Sequence, residues 1–302
     1  MTSAFSKKTP FVKAGLIIIL AIFLFDIQGV FIKYMGAQYP IEQITVIRNF
    51  LGMIPYFLML LVFSNWRKTD GNWKIKRWKF AFFRGVLLIL AQLCFYTALI
   101  NMELATATTL AFCGPLFLTL LSIPMFGHKV GWYRGSAVIL GFIGVIMVMQ
   151  PGRDAFSFYA LLPIGAGFFY ALASLTSRYF SQELPTALIS IYASIGAVVT
   201  ALGVVLLQGQ WVSIESLGDG FLFIGMGLSG GFAVLLLITA YRMADPSSLS
   251  PLEYFGIPFS FVLGWLFFDE APFGSLFPGV LFIVGAGLLV LWRERVIANT
   301  QT

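Results

Sequence analysis

The chain has 302 residues, of which 11% are Asp, Glu, Lys or Arg and 59% belong to the AVILMFWYC group, with 32 Phe and a formal net charge of +6. A soluble domain carries about 25% charged residues, so these few charges could not cover a globule with this much apolar content. Disordered chains are rich in charge and poor in aromatics, which excludes that class too. The composition points to an all-α polytopic membrane protein.

The N-terminal MTSAFSKKTPFVKAG is basic and runs directly into an apolar stretch. That stretch, 14–35, has the length of an uncleaved membrane span and exceeds a signal-peptide core. At about 20 apolar residues per crossing, further spans are predicted at 42–63, 80–101, 104–123, 130–149, 156–179, 185–207, 219–241, 247–268 and 275–292. The total is ten transmembrane helices. The apolar runs are continuous, without the period-two alternation of a barrel. Connections such as 36–41, 102–103, 150–155 and 180–184 are short, so neighbouring helices are expected to pack antiparallel.

Charge placement supplies an orientation. With the N-terminus inside, fifteen of the nineteen basic residues fall in cytoplasmic segments, leaving Lys33 and Arg153 opposite and Arg48 and Arg84 within spans. Both termini are therefore expected in the cytoplasm. The segment WRKTDGNWKIKRWK, 66–79, is the strongest anchor, its Trp66, Trp73 and Trp78 suiting the headgroup layer of the membrane lipids. The net charge thus reads as orientation, and no nucleic-acid partner is expected. Cys94 and Cys113 lie in apolar runs, and His128 is the sole histidine, so neither a disulfide framework, a metal site nor a cofactor is expected.

The stretch YTALINMELATATTLAFCGPLF from Tyr96 has an echo in TAYRMADPSSLSPLEYFGIPF from Thr239. GSAVILGFIGVIMVM from Gly135 is echoed by GVLFIVGAGLLVL from Gly279. The chain divides accordingly at 14–152 and 156–292, five spans in each half. Five is odd, so the two five-helix repeats would be inverted across the membrane, a form that suits alternating access around a midplane site.

On ALINMELATATTLAFCGPLF at 98–117, AYRMADPSSLSPLEYFGIPF at 240–259 and GVIMVMQPG ending at Gly152, the chain resembles the drug/metabolite transporter superfamily, in the branch with two EamA-type domains. The resemblance implies a ten-helix permease of the bacterial inner membrane. Its cavity would be lined by the first, third, fourth, sixth, eighth and ninth helices, with the fifth and tenth as scaffold. The likeness is to metabolite permeases, more loosely to riboflavin-like and amino-acid-like transporters. Glu270 matches the acidic residue that the family often places after the ninth helix, whereas His128 stands at the corresponding place after the fourth.

Ionisable groups inside spans are costly and mark pathways or partners. Asp26, with Gln28 nearby, lies mid-span; Arg48 stands beside Asn49; Arg84 lies about a turn into its helix; Glu253 lies between Pro251 and Pro258. Asp26 reads either as a solute, coupling or gating group or as a structural partner of Arg48 or of a neighbouring amide. Arg84, Gln92 and Tyr96 share one helix face with Leu88; Tyr170 with Ser174, and Ser250 with Tyr254, repeat that spacing. Pro115 and Pro258 are candidate hinges, a static kink being the alternative. The glycines in GFIG from 141 and GMGLSGG from 225 read as helix-packing positions.

No enzyme constellation and no nucleotide loop is present. The leading expectation is a secondary transporter of a small organic metabolite, working as uniporter, exchanger or proton-coupled carrier and present as a monomer or loose homodimer. Asp26 or Glu253 would be its proton-sensitive group, and Arg48 a counter-charge for an anionic or zwitterionic solute. A lipid-processing membrane enzyme and a non-transporting structural membrane protein are the alternatives.

Overall fold

The computed structural model describes residues 3–62, 77–126, 132–150, 157–176, 186–243 and 249–300. Backbone amides in hydrocarbon have no water to bond, so apolar segments close their hydrogen bonds internally as helices. The described residues form α1 (Ser3–Met35), α2 (Ile41–Val62), α3 (Trp78–Asn101), α4 (Leu104–Ala111), α5 (Gly114–Phe126) and α6 (Trp132–Met149). They continue as α7 (Leu161–Thr176), α8 (Thr186–Gln208), α9 (Leu217–Met243), α10 (Gly256–Phe268), α11 (Phe273–Leu276) and α12 (Gly279–Thr300). Short 3₁₀ turns at Phe158–Ala160 and Ser250–Phe255 precede α7 and α10.

Seven of the described helical stretches are long and apolar enough to cross a membrane: Val12–Met35, Ile41–Leu61, Trp78–Asn101, Leu104–Met125, Phe158–Thr176, Ala187–Gln208 and Leu217–Tyr241. The expectation of ten spans in two inverted five-helix repeats is overturned. The predicted spans 130–149, 247–268 and 275–292 correspond to shorter apolar helices, Gly135–Met149, Leu252–Phe268 and Gly279–Leu289. Hydropathy had merged helix with adjoining turn. Residues Ser250–Phe255 are 3₁₀, with Pro at their start, which leaves the 13 residues of α10. At about 1.5 Å per residue these reach roughly 20 Å, against the roughly 30 Å of a bilayer core. Likewise α11 ends at Leu276 and α12 begins at Gly279, so the 275–292 run is cut near its start. The parity argument needs five full crossings per half, and these lengths do not supply them.

The helices pack in pairs: α1 on α9, α2 on α8 and α9, α3 on α7 and α8, α4 on α10, α5 on α7 and α6 on α12. Glycines set several of these approaches. A Cβ on Gly231 of α9 would come within 2.8 Å of the Gly52 carbonyl oxygen on α2. A Cβ on Gly144 of α6 would lie 2.7 Å from the carbonyl oxygen of Gly279 on α12. The glycine runs from 141 and 225 do serve helix packing. Outward-facing Leu16, Leu20, Phe50, Ile54, Ile139 and Leu206 are exposed, an apolar girdle that water would not tolerate and lipid would.

Candidate functional site

Five of the sequence-nominated residues meet in one buried, hydrogen-bonded cluster joining α1, α2 and α3. Asn49 Nδ2 donates to Gln92 Oε1 at 2.6 Å and to the Thr45 carbonyl at 2.9 Å, while Gln92 Nε2 returns a bond to Asn49 Oδ1 at 3.4 Å. Gln28 Nε2 donates to the Tyr96 hydroxyl at 3.2 Å. These donations fix both amides and turn their oxygens toward Arg48. Arg48 Nη1 donates to Asn49 Oδ1 at 3.1 Å and Nη2 to Gln28 Oε1 at 3.4 Å. Helical spacing explains the convergence. Gln92 and Tyr96 are one turn apart on α3, and Thr45 and Asn49 are one turn apart on α2.

Arg48 is 7% exposed and its Nε is buried without a partner. Seven residues into α2, it lies roughly 10 Å inside the helix end. Among the described residues no carboxylate comes within ion-pairing distance of it. A lone charge at such depth is opposed by about 2.5–3.5 kcal/mol at a helix centre, and neutral amide oxygens offset only part of that. Tyr56 and Tyr96 lie within its electrostatic range. Opposite the cluster, α9 presents Gly230, where any Cβ would run into the Gln28 amide and lie 2.9 Å from Arg48 Nη2.

The remaining candidates lie apart. Asp26 is buried, with Oδ2 unpartnered, and makes no ion pair with Arg48. Arg84 parts from the Gln92–Tyr96 face and donates to the Ala173 carbonyl of α7, with Thr176 Oγ1 at 3.5 Å. Glu253 accepts the hydroxyl of Tyr241 from the end of α9. Tyr170, 54% exposed, lies within electrostatic range of both Arg84 and Glu253, and Ser174 is half-buried one turn along α7. Tyr254 is in 3₁₀ rather than α-helix; its ring packs 5.1 Å from Phe112 and its buried hydroxyl has no partner. Pro115 and Pro258 each stand in the first turn of a helix, α5 and α10, where proline is tolerated. His128 lies outside the described residues.

One junction escaped sequence reasoning. Lys33 of α1 pairs with Glu270, donates to the Met102 carbonyl at 2.6 Å and lies 5.1 Å from the centre of the Phe268 ring. Glu270 Oε2 accepts the backbone N–H of Leu104, the first residue of α4, at 2.8 Å. The carboxylate thus meets both a cation and the positive end of a helix. Asp269, in the left-handed conformation at φ 56°, ends α10 and turns Glu270 into place. The signal available was Lys33 itself, a basic residue near the end of a span and on the side where the charge bias predicts few of them. Nearby, between spans, Tyr39 donates to Asp219 Oδ2 at 2.8 Å. That bond, then burial and the charge of Asp219, raise the Tyr39 phenol above its ordinary pKa. No group of three His, Cys, Asp or Glu side chains that could hold a metal occurs among the described residues.

Comparison with known proteins agrees with a membrane carrier. Residues 12–150 match the EamA-like transporter family. A riboflavin transporter of Vibrio cholerae is 27% identical over 87% of this chain and 91% of its own. An S-adenosylmethionine uptake transporter of Rickettsia prowazekii is 24% identical over 92% of each chain. The pseudopaline exporter CntI of Pseudomonas aeruginosa is 25% identical over 91% of this chain and 94% of its own. A solved crystal structure superposes with a TM-score of 0.64 at 18% identity, covering 92% of this chain and 96% of that one, and so shares the fold. Each of these named relatives is known for transport, none for catalysis. The chain is a polytopic membrane protein related over most of its length to transporters of small molecules, and its residues 12–150 are EamA-like.

Proposed function

We propose that this protein is a secondary transporter that moves a small organic metabolite, amphoteric or amino-acid-like, across the bacterial inner membrane by alternating access. The observation that carries the reading is the buried polar cluster of Gln28, Arg48, Asn49, Gln92 and Tyr96 inside an otherwise apolar bundle. Polar groups at this depth are retained where a solute or ion replaces water. The riboflavin, S-adenosylmethionine and pseudopaline carriers among its relatives support an organic solute.

Tyr170, Ser174, Arg84, Glu253 and Tyr254 form further wall, aromatic and polar groups suited to an organic molecule. Pro115 and Pro258, in the first turns of α5 and α10, are the hinges of the transport cycle. Asp26 or Glu253 is the group that takes or releases a coupling proton. The family match to 12–150 supports a boundary between residues 152 and 156. The basic N-terminus and the 66–79 segment, separated by two of the long spans, face the cytoplasm.

Proteoliposomes loaded with a metabolite mixture and resolved by mass spectrometry, with and without a pH gradient, test the reading. Efflux of one compound class is expected; absence of flux for every compound would remove it. Asp26→Asn is expected to fold and to lose the response to the pH gradient. A folded D26N protein with wild-type flux at every pH takes Asp26 out of the mechanism.

A further inference from the structure

We infer that Arg48 is the receptor for a carboxylate carried by the solute. The inference rests on the transport reading above and names the chemical group that the cluster selects.

A guanidinium stays charged at any accessible pH and offers five N–H donors in a planar fork. In this cluster two neutral amide oxygens, Gln28 Oε1 and Asn49 Oδ1, take one donor each, and Nε has no partner although it is buried. The protein supplies no counter-charge: among the described residues the acidic side chains, Asp26 included, form no ion pair with Arg48. The amides that hold the guanidinium are themselves held. Gln28 is tied to Tyr96, and Asn49 to Gln92 and to the backbone of Thr45. The fork is therefore oriented in advance, with spare donors and an unspent charge.

On the α9 side the backbone closes tightly over the guanidinium. Gly230 faces the Gln28 amide and the Nη2 atom so closely that a single methyl group on α9 would collide with them. A planar monoanion matches both the geometry and the charge, since a carboxylate takes two parallel N–H bonds and neutralises one positive charge. A phosphate dianion would bring a second negative charge into a cluster whose other members are neutral amides and a phenol.

Acetate tests this without knowledge of the whole solute, because it is small enough to enter any carboxylate subsite. The purified full chain in detergent is melted against rising sodium acetate, acetamide and inorganic phosphate at matched ionic strength. Acetate is expected to raise the unfolding temperature, with a shift that grows with the logarithm of its concentration. Acetamide, of the same shape but uncharged, is expected to give none, and phosphate less than acetate. In Arg48→Gln the acetate shift disappears; in Arg48→Lys, which keeps the charge and loses the fork, it needs at least roughly tenfold more acetate.

An unresponsive wild type, an equal shift in R48Q, or a larger shift with phosphate than with acetate overturns the inference. If R48Q does not fold, the wild-type and R48K titrations decide it. Flux without an acetate response sinks the carboxylate assignment and leaves the transport reading standing. An acetate response without flux of any metabolite does the reverse.

Discussion

Two cations of this protein, the half-buried Lys33 and the buried Arg48, lie in opposite electrostatic conditions. Lys33 is fully answered: a carboxylate, a backbone carbonyl and an aromatic face surround it. Arg48 is held by two amide oxygens and keeps an unpartnered Nε. The first arrangement joins α1 to the start of α4 and the end of α10, and its charges cancel. The second leaves a charge in low dielectric that no carboxylate among the described residues cancels. Such a charge carries a desolvation cost that an anion from outside the chain would offset. The contrast sets a pair that ties helices together against a charge that, on the proposed reading, a solute completes.

Removing each cation in turn sharpens that contrast. The largest expected effect is on transport: Arg48→Met should cut solute flux at least tenfold while leaving the unfolding temperature equal to wild type or higher, since an uncompensated buried charge has been removed. A strong drop in thermal stability would show instead that Arg48 holds the bundle together. Glu270→Gln should behave in the opposite sense, destabilising by about 2 kcal/mol because Lys33 is left without its counter-charge, somewhat less than for a fully desiccated pair. Combining it with Lys33→Met in a double-mutant cycle should return part of that loss, and strict additivity would mean the two side chains do not couple.

Gly230→Ala comes next, with about 1–3 kcal/mol of destabilisation from overpacking and a parallel loss of flux as the Gln28 amide is pushed aside; wild-type melting and flux together would place α9 farther from the cluster. The smallest effect belongs to Tyr39→Phe, a slight fall in unfolding temperature near neutral pH. The Tyr39 phenol has a folded-state pKa raised above its unfolded value. Its contribution is therefore complete below the unfolded pKa of about 10 and fades as pH rises through the folded value. The variant should lack that alkaline step.

Much of the cluster was legible in the sequence because polar letters are rare in apolar helices. Gln28, Arg48, Asn49, Gln92 and Tyr96 stood out for that reason, and helical spacing placed Gln92 with Tyr96. Spacing failed for Arg84, which shares their face on paper but donates to α7 instead, because the packing partner changes along the length of α3. It failed for Tyr254 as well, since a 3₁₀ turn rotates residues by a different angle from an α-helix. The span count went wrong where hydrophobic residues bridge a break: Leu252 and Phe255, and Leu276 with Phe277, carry the apolar run across 250–255 and 276–278, yet proline and turn geometry end the helices there. The Lys33–Glu270 pair joins residues 237 positions apart, a relation that no local pattern encodes.

Arg48 is the one charged member of the hydrogen-bonded cluster, and that has an electrical consequence. The membrane potential acts on charge, contributing about 2.3 kcal/mol per elementary charge moved through 100 mV. An empty cluster bears one positive charge, so any step that shifts it through part of the field speeds or slows with voltage. Filled with a monovalent anion the cluster is neutral, and the same step becomes insensitive to voltage. For a solute of net charge −1, loaded and unloaded halves of a transport cycle built on this cluster therefore feel the membrane potential unequally, whereas a net-neutral amphoteric solute leaves the two equally charged.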